Sequence, residues 1–95
     1  MLFEWDEDKR QTNLIKHGID FVDAKLIWLS PVLDPVSQRV VAGETRSVAI
    51  GTIGDDQFVV AVVYTQRGSA KRLISARRAR RYERSNYQDV FGSTW

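Results

Sequence analysis

An arginine-rich stretch, residues 72–84, holds the side chains best suited to chemistry in this chain. It reads RLISARRARRYER, a strand-like apolar pattern that runs into arginines at helical spacing without a glycine or proline. Residues 66–95 carry eight Lys/Arg against two acidic residues, a balance of +6, whereas residues 1–65 carry six against ten, a balance of −4. Guanidinium groups suit phosphate oxygens, because their planar fork donates two hydrogen bonds at once. The stretch therefore predicts a polyanionic partner, of which nucleic acid is the obvious one.

The same arginines could instead form a solvated face that only keeps the protein soluble. We favour a function, because so many like charges repel one another and a bound polyanion would neutralise them. Three functions remain open at this point. They are an RNA-cleaving enzyme, a non-catalytic module that binds nucleic acid or a partner, and a face that docks an acidic protein.

Four further side chains could take part in phosphate chemistry. Glu83, the only carboxylate inside the cluster, could accept the proton of a ribose 2′-hydroxyl, or could simply relieve repulsion as a local ion pair. His17 is the only histidine, and its unperturbed pKa suits acid and base work near neutral pH, although a histidine at a helix end is usually a capping or packing residue. Lys9 and Lys16 share one helical face and could contact phosphate or remain solvated.

The composition excludes several classes of protein. The chain has no cysteine and one histidine, so thiolate and multi-histidine metal sites are excluded, and no metal or cofactor is expected. The longest apolar run, residues 58–64, is far shorter than the roughly 18–20 residues that span a bilayer, and the N-terminus lacks the basic flank of a signal peptide. We expect a cytoplasmic protein without membrane contact, with residues 1–95 as a single domain.

Two N-terminal helices should follow a short strand at residues 2–5. Asp6 is the expected N-cap of a helix from Glu7 to about His17, which Gly18 ends and which should pack through a narrow stripe of Leu14 and Ile15. Asp20 is the expected cap of a second helix that reaches about Leu29. Its core-facing residues are predicted to be Phe21, Ala24, Ile27 and Trp28.

The second half of the chain predicts an antiparallel sheet and a terminal helix. A short strand at 32–34 should be interrupted at Pro35, and residues 40–43 should form a loop or an edge segment. Strands at 46–53, 58–64 and 72–77 should form a meander with a turn at 54–56. In the last strand Leu73, Ser75 and Arg77 should alternate with Arg72, Ile74 and Ala76.

The last helix is predicted from about Ala79 to Val90, with Ala79, Tyr82, Asn86 and Val90 along one side. Residues 92–95 should fray unless Trp95 packs back onto the body. Helices first, then a curved antiparallel sheet, then a terminal helix make an α+β domain with a shallow basic cleft.

Two separated motifs resemble the BrnT family of bacterial toxins. The first motif is Phe3-Glu4-Trp5-Asp6-Glu7 with Lys9, Asn13, Lys16-His17-Gly18, Phe21 and Ala24, and the second is Ile74-Ser75-Ala76-Arg77-Arg78-Ala79 with Arg81-Tyr82-Glu83-Arg84. The resemblance covers nearly the whole chain. It implies a RelE-like fold and a type II toxin that cleaves RNA without a metal and arrests growth.

The resemblance also implies a partner and a set of functional positions. The partner is a BrnA-type antitoxin with a ribbon-helix-helix domain, in a hetero-oligomeric complex that contacts DNA only through the antitoxin and represses its own promoter. The implied functional positions are Lys9, Lys16, His17, Arg77, Arg81 and Glu83.

The residues and the resemblance together give one assignment. The expected catalytic residues are His17, Arg77, Arg81 and Glu83. The expected RNA-binding residues are Lys9, Lys16, Arg67, Arg72, Arg78 and Arg84. In this assignment Arg77 or Arg81 stabilises the transition state and Glu83 or His17 moves protons. The alternative remains a binding module without turnover.

Overall fold

A five-stranded sheet, with helices on both faces, forms the body of the computed structural model, which describes residues 1–54 and 58–92. The elements in chain order are β1 (Leu2–Trp5), α1 (Glu7–His17), α2 (Phe21–Ala24), a 3-10 helix (Lys25–Leu29), β2 (Leu33–Val41), β3 (Glu44–Ile53), β4 (Phe58–Arg67), β5 (Ala70–Arg78) and α3 (Arg81–Phe91). The predicted α+β class and the C-terminal helix are confirmed. Of the sequence expectations, the turn residues Asp55 and Asp56 and the segment 93–95 lie outside the described residues.

The sheet is mixed rather than purely antiparallel. Its strand order is β1-β5-β4-β3-β2. The expected meander is β3 to β5, β2 extends it by one antiparallel strand, and β1 lies parallel to β5. The predicted break at Pro35 is wrong, because β2 is one strand. An irregularity in its pairing with β3 between Leu33 and Ser37 leaves the proline outside the regular ladder.

Helix α1 has the predicted bounds but a different attachment. Asp6 accepts hydrogen bonds from the amides of Asp8 and Lys9, and Gly18 ends the helix at φ 72°, as expected. The predicted apolar stripe is wrong, since Ile15 is 87% exposed and Leu14 40% exposed. A polar side chain, Asn13, is the buried residue of this helix.

Asn13 attaches α1 to the edge of β5. Its side-chain amide donates to the carbonyls of Ala76 (2.8 Å) and Ile19 (2.9 Å), and its carbonyl accepts from the Ala76 amide (3.1 Å). Pairing with β1 ends at Leu73, so the outer edge of β5 has no strand partner at Ala76. The Asn13 amide has the donor and acceptor of a peptide group and takes the place of the missing strand.

The second helix is α-helical only as far as Ala24 and continues as the 3-10 helix. Its predicted core face is confirmed, because Phe21, Ala24 and Ile27 are fully buried and Trp28 packs against the same core. The 3-10 segment lies close to β3 at Gly51. A Cβ there would lie 2.7 Å from the Cβ of Ile27, so glycine permits the close approach.

Helix α3 covers only part of the opposite face of the sheet. It begins at Arg81 rather than at Ala79, and its buried residues are Glu83 and Tyr87. The side that carries Tyr82 and Val90 does not face the core, because these residues are each 59% exposed. The apolar cluster under the helix is Ile50, Val59, Ala61, Ala79 and Tyr87. The rest of this face, toward β2 and the middle of β5, stays open. Within the described residues no helix is long and apolar enough to cross a membrane.

Replacing Asn13 tests whether this side chain holds α1 in place. We expect Asn13→Ala to lower the free energy of unfolding by about 2–4 kcal/mol, because the buried amide and carbonyl of Ala76 lose their partner. Ile15→Ala on the same helix should change it by less than about 0.5 kcal/mol, because that side chain is exposed. Urea denaturation of both variants measures the difference. Equal losses would show that Asn13 does not attach the helix.

Candidate functional site

A β-bulge in β5 shapes the open face of the sheet. Val63 pairs with Ser75 but the next residue, Tyr64, pairs with Leu73, so Ile74 is an extra residue on β5. The predicted alternation through this strand is therefore wrong. Leu73 and Ala76 are both buried in the core that also contains Phe21 and Ile27. Ile74 and Ser75 both line the open cavities described next. Bulges re-aim side chains in this way and are frequent beside active sites.

The first cavity lies between the open face of the sheet and the start of α3. Its volume is about 460 Å³, and its lining includes four arginines and one carboxylate. The arginines are Arg39 on β2, Arg46 on β3, Arg77 on β5 and Arg80 before α3, and the carboxylate is Glu83. Tyr82 also lines it. The charge of this lining suits an anion.

The second cavity lies between α1 and β5. Its volume is about 370 Å³, and Lys9, Lys16 and His17 line it, which confirms that the two lysines share a face. Ile74 and Ser75 line both cavities. The two cavities therefore adjoin across the bulge, and we call them together the basic groove.

Glu83 forms the central ion pair of the groove. Its side chain is 3% exposed, and its two oxygens accept from Arg77 Nη1 (2.7 Å) and Nη2 (3.0 Å). The Arg80 amide donates a third hydrogen bond at 2.7 Å. Burial alone would raise the pKa of Glu83, but the hydrogen bonds from Arg77 and Arg80 outweigh it and leave this pKa below its usual value. The pKa of Arg77 is raised by the same pair, so both groups stay ionised near neutral pH.

Five of the predicted arginines lie outside the groove. Arg67 pairs with Glu44 (3.0 Å), and Arg72 pairs with Glu4 (2.7 Å). The other three are Arg78, which lies over the ring of Phe58, Arg84, which donates to the carbonyl of Ala79, and Arg81, which is exposed at the start of α3. In the described part of the chain none of the five lines either cavity.

Three groove arginines were absent from the sequence assignment. Arg39 and Arg46 stand opposite each other in the β2–β3 pair, on either side of a turn at Ala42 and Gly43. The hairpin places the two arginines together, but its sequence signal is weak, because Ala-Gly is not one of the dipeptides typical of a two-residue hairpin turn. Arg80 belongs to the arginine cluster, but it was predicted inside the last helix. In the structure Arg80 precedes α3, which begins at Arg81, and the Arg80 side chain lines the first cavity.

The groove crosses an α+β domain and combines a buried arginine–carboxylate pair with one histidine, and its positive charge suits a polyanion. The family model for "Ribonuclease toxin, BrnT, of type II toxin-antitoxin system" matches residues 5–83. The chain therefore belongs to this family of ribonuclease toxins, which confirms the resemblance seen in its two motifs. A comparison with curated proteins gave no match.

The pH dependence of stability tests the Glu83 pair. Because its pKa is depressed in the folded state, Glu83 adds stability above its unfolded pKa of about 4.5, and this stability is lost as the pH falls through the folded value. We expect Glu83→Gln to lower the free energy of unfolding by about 1–3 kcal/mol at pH 7, with the gap to wild type closing below pH about 4.

Urea unfolding between pH 3 and 7 measures this gap. The matched control is Glu44→Gln, which removes a carboxylate from an exposed arginine pair and should change stability by less than about 1 kcal/mol at every pH. A gap for Glu83→Gln that stays constant with pH would contradict an ionised, paired Glu83.

Proposed function

We propose that the protein is a metal-independent endoribonuclease that binds single-stranded RNA in the basic groove. One observation carries this proposal: two adjoining cavities share the bulge. One cavity is lined by Lys9, Lys16 and His17, and the other contains the Arg77–Glu83 pair. Family membership supplies the ribonuclease class. The groove supplies cations for the phosphates and a titratable group for proton transfer.

Arg77 is the group we assign to the scissile phosphate. Glu83 holds its guanidinium by two hydrogen bonds, so the orientation of Arg77 is fixed before RNA binds. A guanidinium has five N–H donors, and those not used by Glu83 remain for phosphate oxygens. Donors oriented in advance toward a developing charge lower the barrier, because they need no reorganisation during the reaction. Arg80 lines the same cavity and is a better placed second donor than Arg81.

Glu83 is better suited to positioning Arg77 than to accepting a proton. Its oxygens already accept three hydrogen bonds, and its lowered pKa makes it a weak base. We therefore assign proton transfer to His17 in the second cavity. In the proposed step the 2′-oxygen attacks phosphorus and loses its proton to the base. The bond from phosphorus to the 5′-oxygen breaks, and the leaving oxygen gains a proton from water. The products are a 2′,3′-cyclic phosphate and a 5′-hydroxyl.

The donor set supports a reaction without a metal ion. The chain has no cysteine and one histidine. Among residues 1–54 and 58–92 no group of three or more His, Asp or Glu side chains could hold a metal ion. The cations of the groove are arginine and lysine, which can neutralise phosphate charge themselves.

The antitoxin is the second partner of this proposal. A type II toxin family implies an antitoxin, and we propose a BrnA-type ribbon-helix-helix protein that covers the groove in a hetero-oligomeric complex in the cytoplasm. DNA is then contacted through the antitoxin. Because both ligands would use the same face, the complex should bind RNA much more weakly than the free toxin.

RNA cleavage by the purified protein in EDTA tests the proposal. We expect the wild type to cleave RNA and leave 2′,3′-cyclic phosphate ends, and Arg77→Ala to be slower by about 10²–10³-fold, the usual cost of removing one oriented transition-state donor. Mass spectrometry of the fragments identifies the ends. Lys25→Gln, which removes a cation from the other face of the sheet, serves as the control and should cleave at the wild-type rate.

Two results would contradict the proposal. Loss of wild-type cleavage in EDTA would show a metal-dependent reaction. RNA that is bound but left intact would favour the module without turnover. An Arg77→Ala variant as active as wild type would leave the enzyme class standing and remove the site assignment.

A further inference from the structure

The β2–β3 hairpin brings two arginines together without a carboxylate between them. Arg39 and Arg46 are direct partners in the antiparallel register, and both line the first cavity. Like charges directly opposite each other on neighbouring strands are destabilising. In the described ranges neither forms an ion pair, so no carboxylate of residues 1–54 and 58–92 pairs with either charge.

Arg46 also destabilises the free protein in a second way. Its Nε is the one side-chain N or O atom in the described residues that is buried and has no hydrogen-bond partner. A buried donor without an acceptor costs about 1–3 kcal/mol, and more when it belongs to a charged group. An anion bound between the two guanidinium groups would neutralise the charge of the pair. The charge of the pair therefore points to an anionic ligand.

The hairpin pair lies at the opposite side of the cavity from Arg77. In the strand order β5-β4-β3-β2, Arg46 is two strands and Arg39 three strands away from Arg77, about 10–14 Å across the sheet. Arg77 pairs with Ala61 and Arg46 with Thr65, so the hairpin pair also lies four residues, about 13 Å, further along the strands. Arg77 is held toward α3 by Glu83. The cavity of about 460 Å³ is large enough for a nucleotide rather than a lone anion.

We propose that Arg39 and Arg46 form a second phosphate subsite, which binds another phosphate of the RNA strand that is cleaved. This inference rests on the proposed function, because it extends the path of the same RNA strand across the sheet to β2. The subsite binds and orients the substrate and does not touch the reacting atoms. A carboxylate of a protein partner is the rival occupant, and the experiment separates the two.

Binding of a 2′-O-methyl RNA hexanucleotide tests the subsite without cleavage, because this ligand has phosphates but no free 2′-hydroxyl. Fluorescence anisotropy across a salt series gives the affinity and its salt dependence. We expect Arg46→Gln to weaken binding about tenfold or more and to reduce the slope of log affinity against log salt by about 0.7, the value for one phosphate contact on a single strand. Arg46→Lys should keep the slope but not the full affinity, because lysine lacks the guanidinium fork.

A stability measurement separates a binding role from misfolding. If the arginine pair is destabilising in the free protein, where no anion is bound, Arg46→Gln should raise the melting temperature in low salt. The substitution removes both the repulsion and the unpaired Nε. Arg39→Gln should act in the same direction, and the double variant should lose little more affinity, because both side chains would hold one phosphate. Lys25→Gln is the matched loss of one positive charge and should leave affinity and slope unchanged.

The outcomes distinguish this inference from the proposed function. Wild-type protein that cleaves RNA together with an Arg46→Gln variant that binds the hexanucleotide like wild type would overturn the subsite alone. A wild type that neither binds nor cleaves RNA would overturn both. If Arg46→Gln leaves RNA affinity unchanged but weakens the antitoxin complex, the pair binds a protein carboxylate and the phosphate subsite is wrong.

Discussion

The buried carboxylate of Glu83 is the constraint on which the groove depends. An ionised group that is 3% exposed is costly unless it is fully paired, and Glu83 finds its partners in Arg77 on β5 and in the amide of Arg80 before α3. These bonds join the end of the strand to the first turn of the helix. They fix the angle at which α3 leaves the sheet, so that the helix covers Ile50 and Ala61 and leaves the face beyond them open.

The other wall of the groove is attached one residue away. Asn13 pairs with the backbone of Ala76 on the outer edge of β5, beside Arg77, which Glu83 holds. The bulge at Ile74 lies just before this point. Two consecutive residues of one strand thus anchor both α1 and α3. This explains how a chain of 95 residues brings the ends of its sequence to one site.

The sequence predicted elements whose signals are local and missed those that depend on tertiary contacts. Asp6 and Gly18 mark the ends of α1 by their own chemistry, and both are confirmed. The attachment of α1 could not be predicted, since Asn13 is polar and its burial requires a strand edge 63 residues away. The bulge was missed because an extra residue leaves no mark in an apolar alternation. Arg39 and Arg46 were missed because residues 40–43 were predicted as a loop or an edge segment, without a pairing partner.

The arginines also show why local charge density is a poor guide to a binding site. The segment 66–95 is the most basic part of the chain, yet Arg67 and Arg72 form ion pairs with Glu44 and Glu4 on neighbouring strands. The groove instead collects its cations from α1, the β2–β3 hairpin and the β5–α3 junction. The proposed phosphate subsite depends on a different property, namely two like charges in direct register with no ion-pair partner among the described residues. Charge density along the sequence could not reveal this property, because it exists only once β2 and β3 pair.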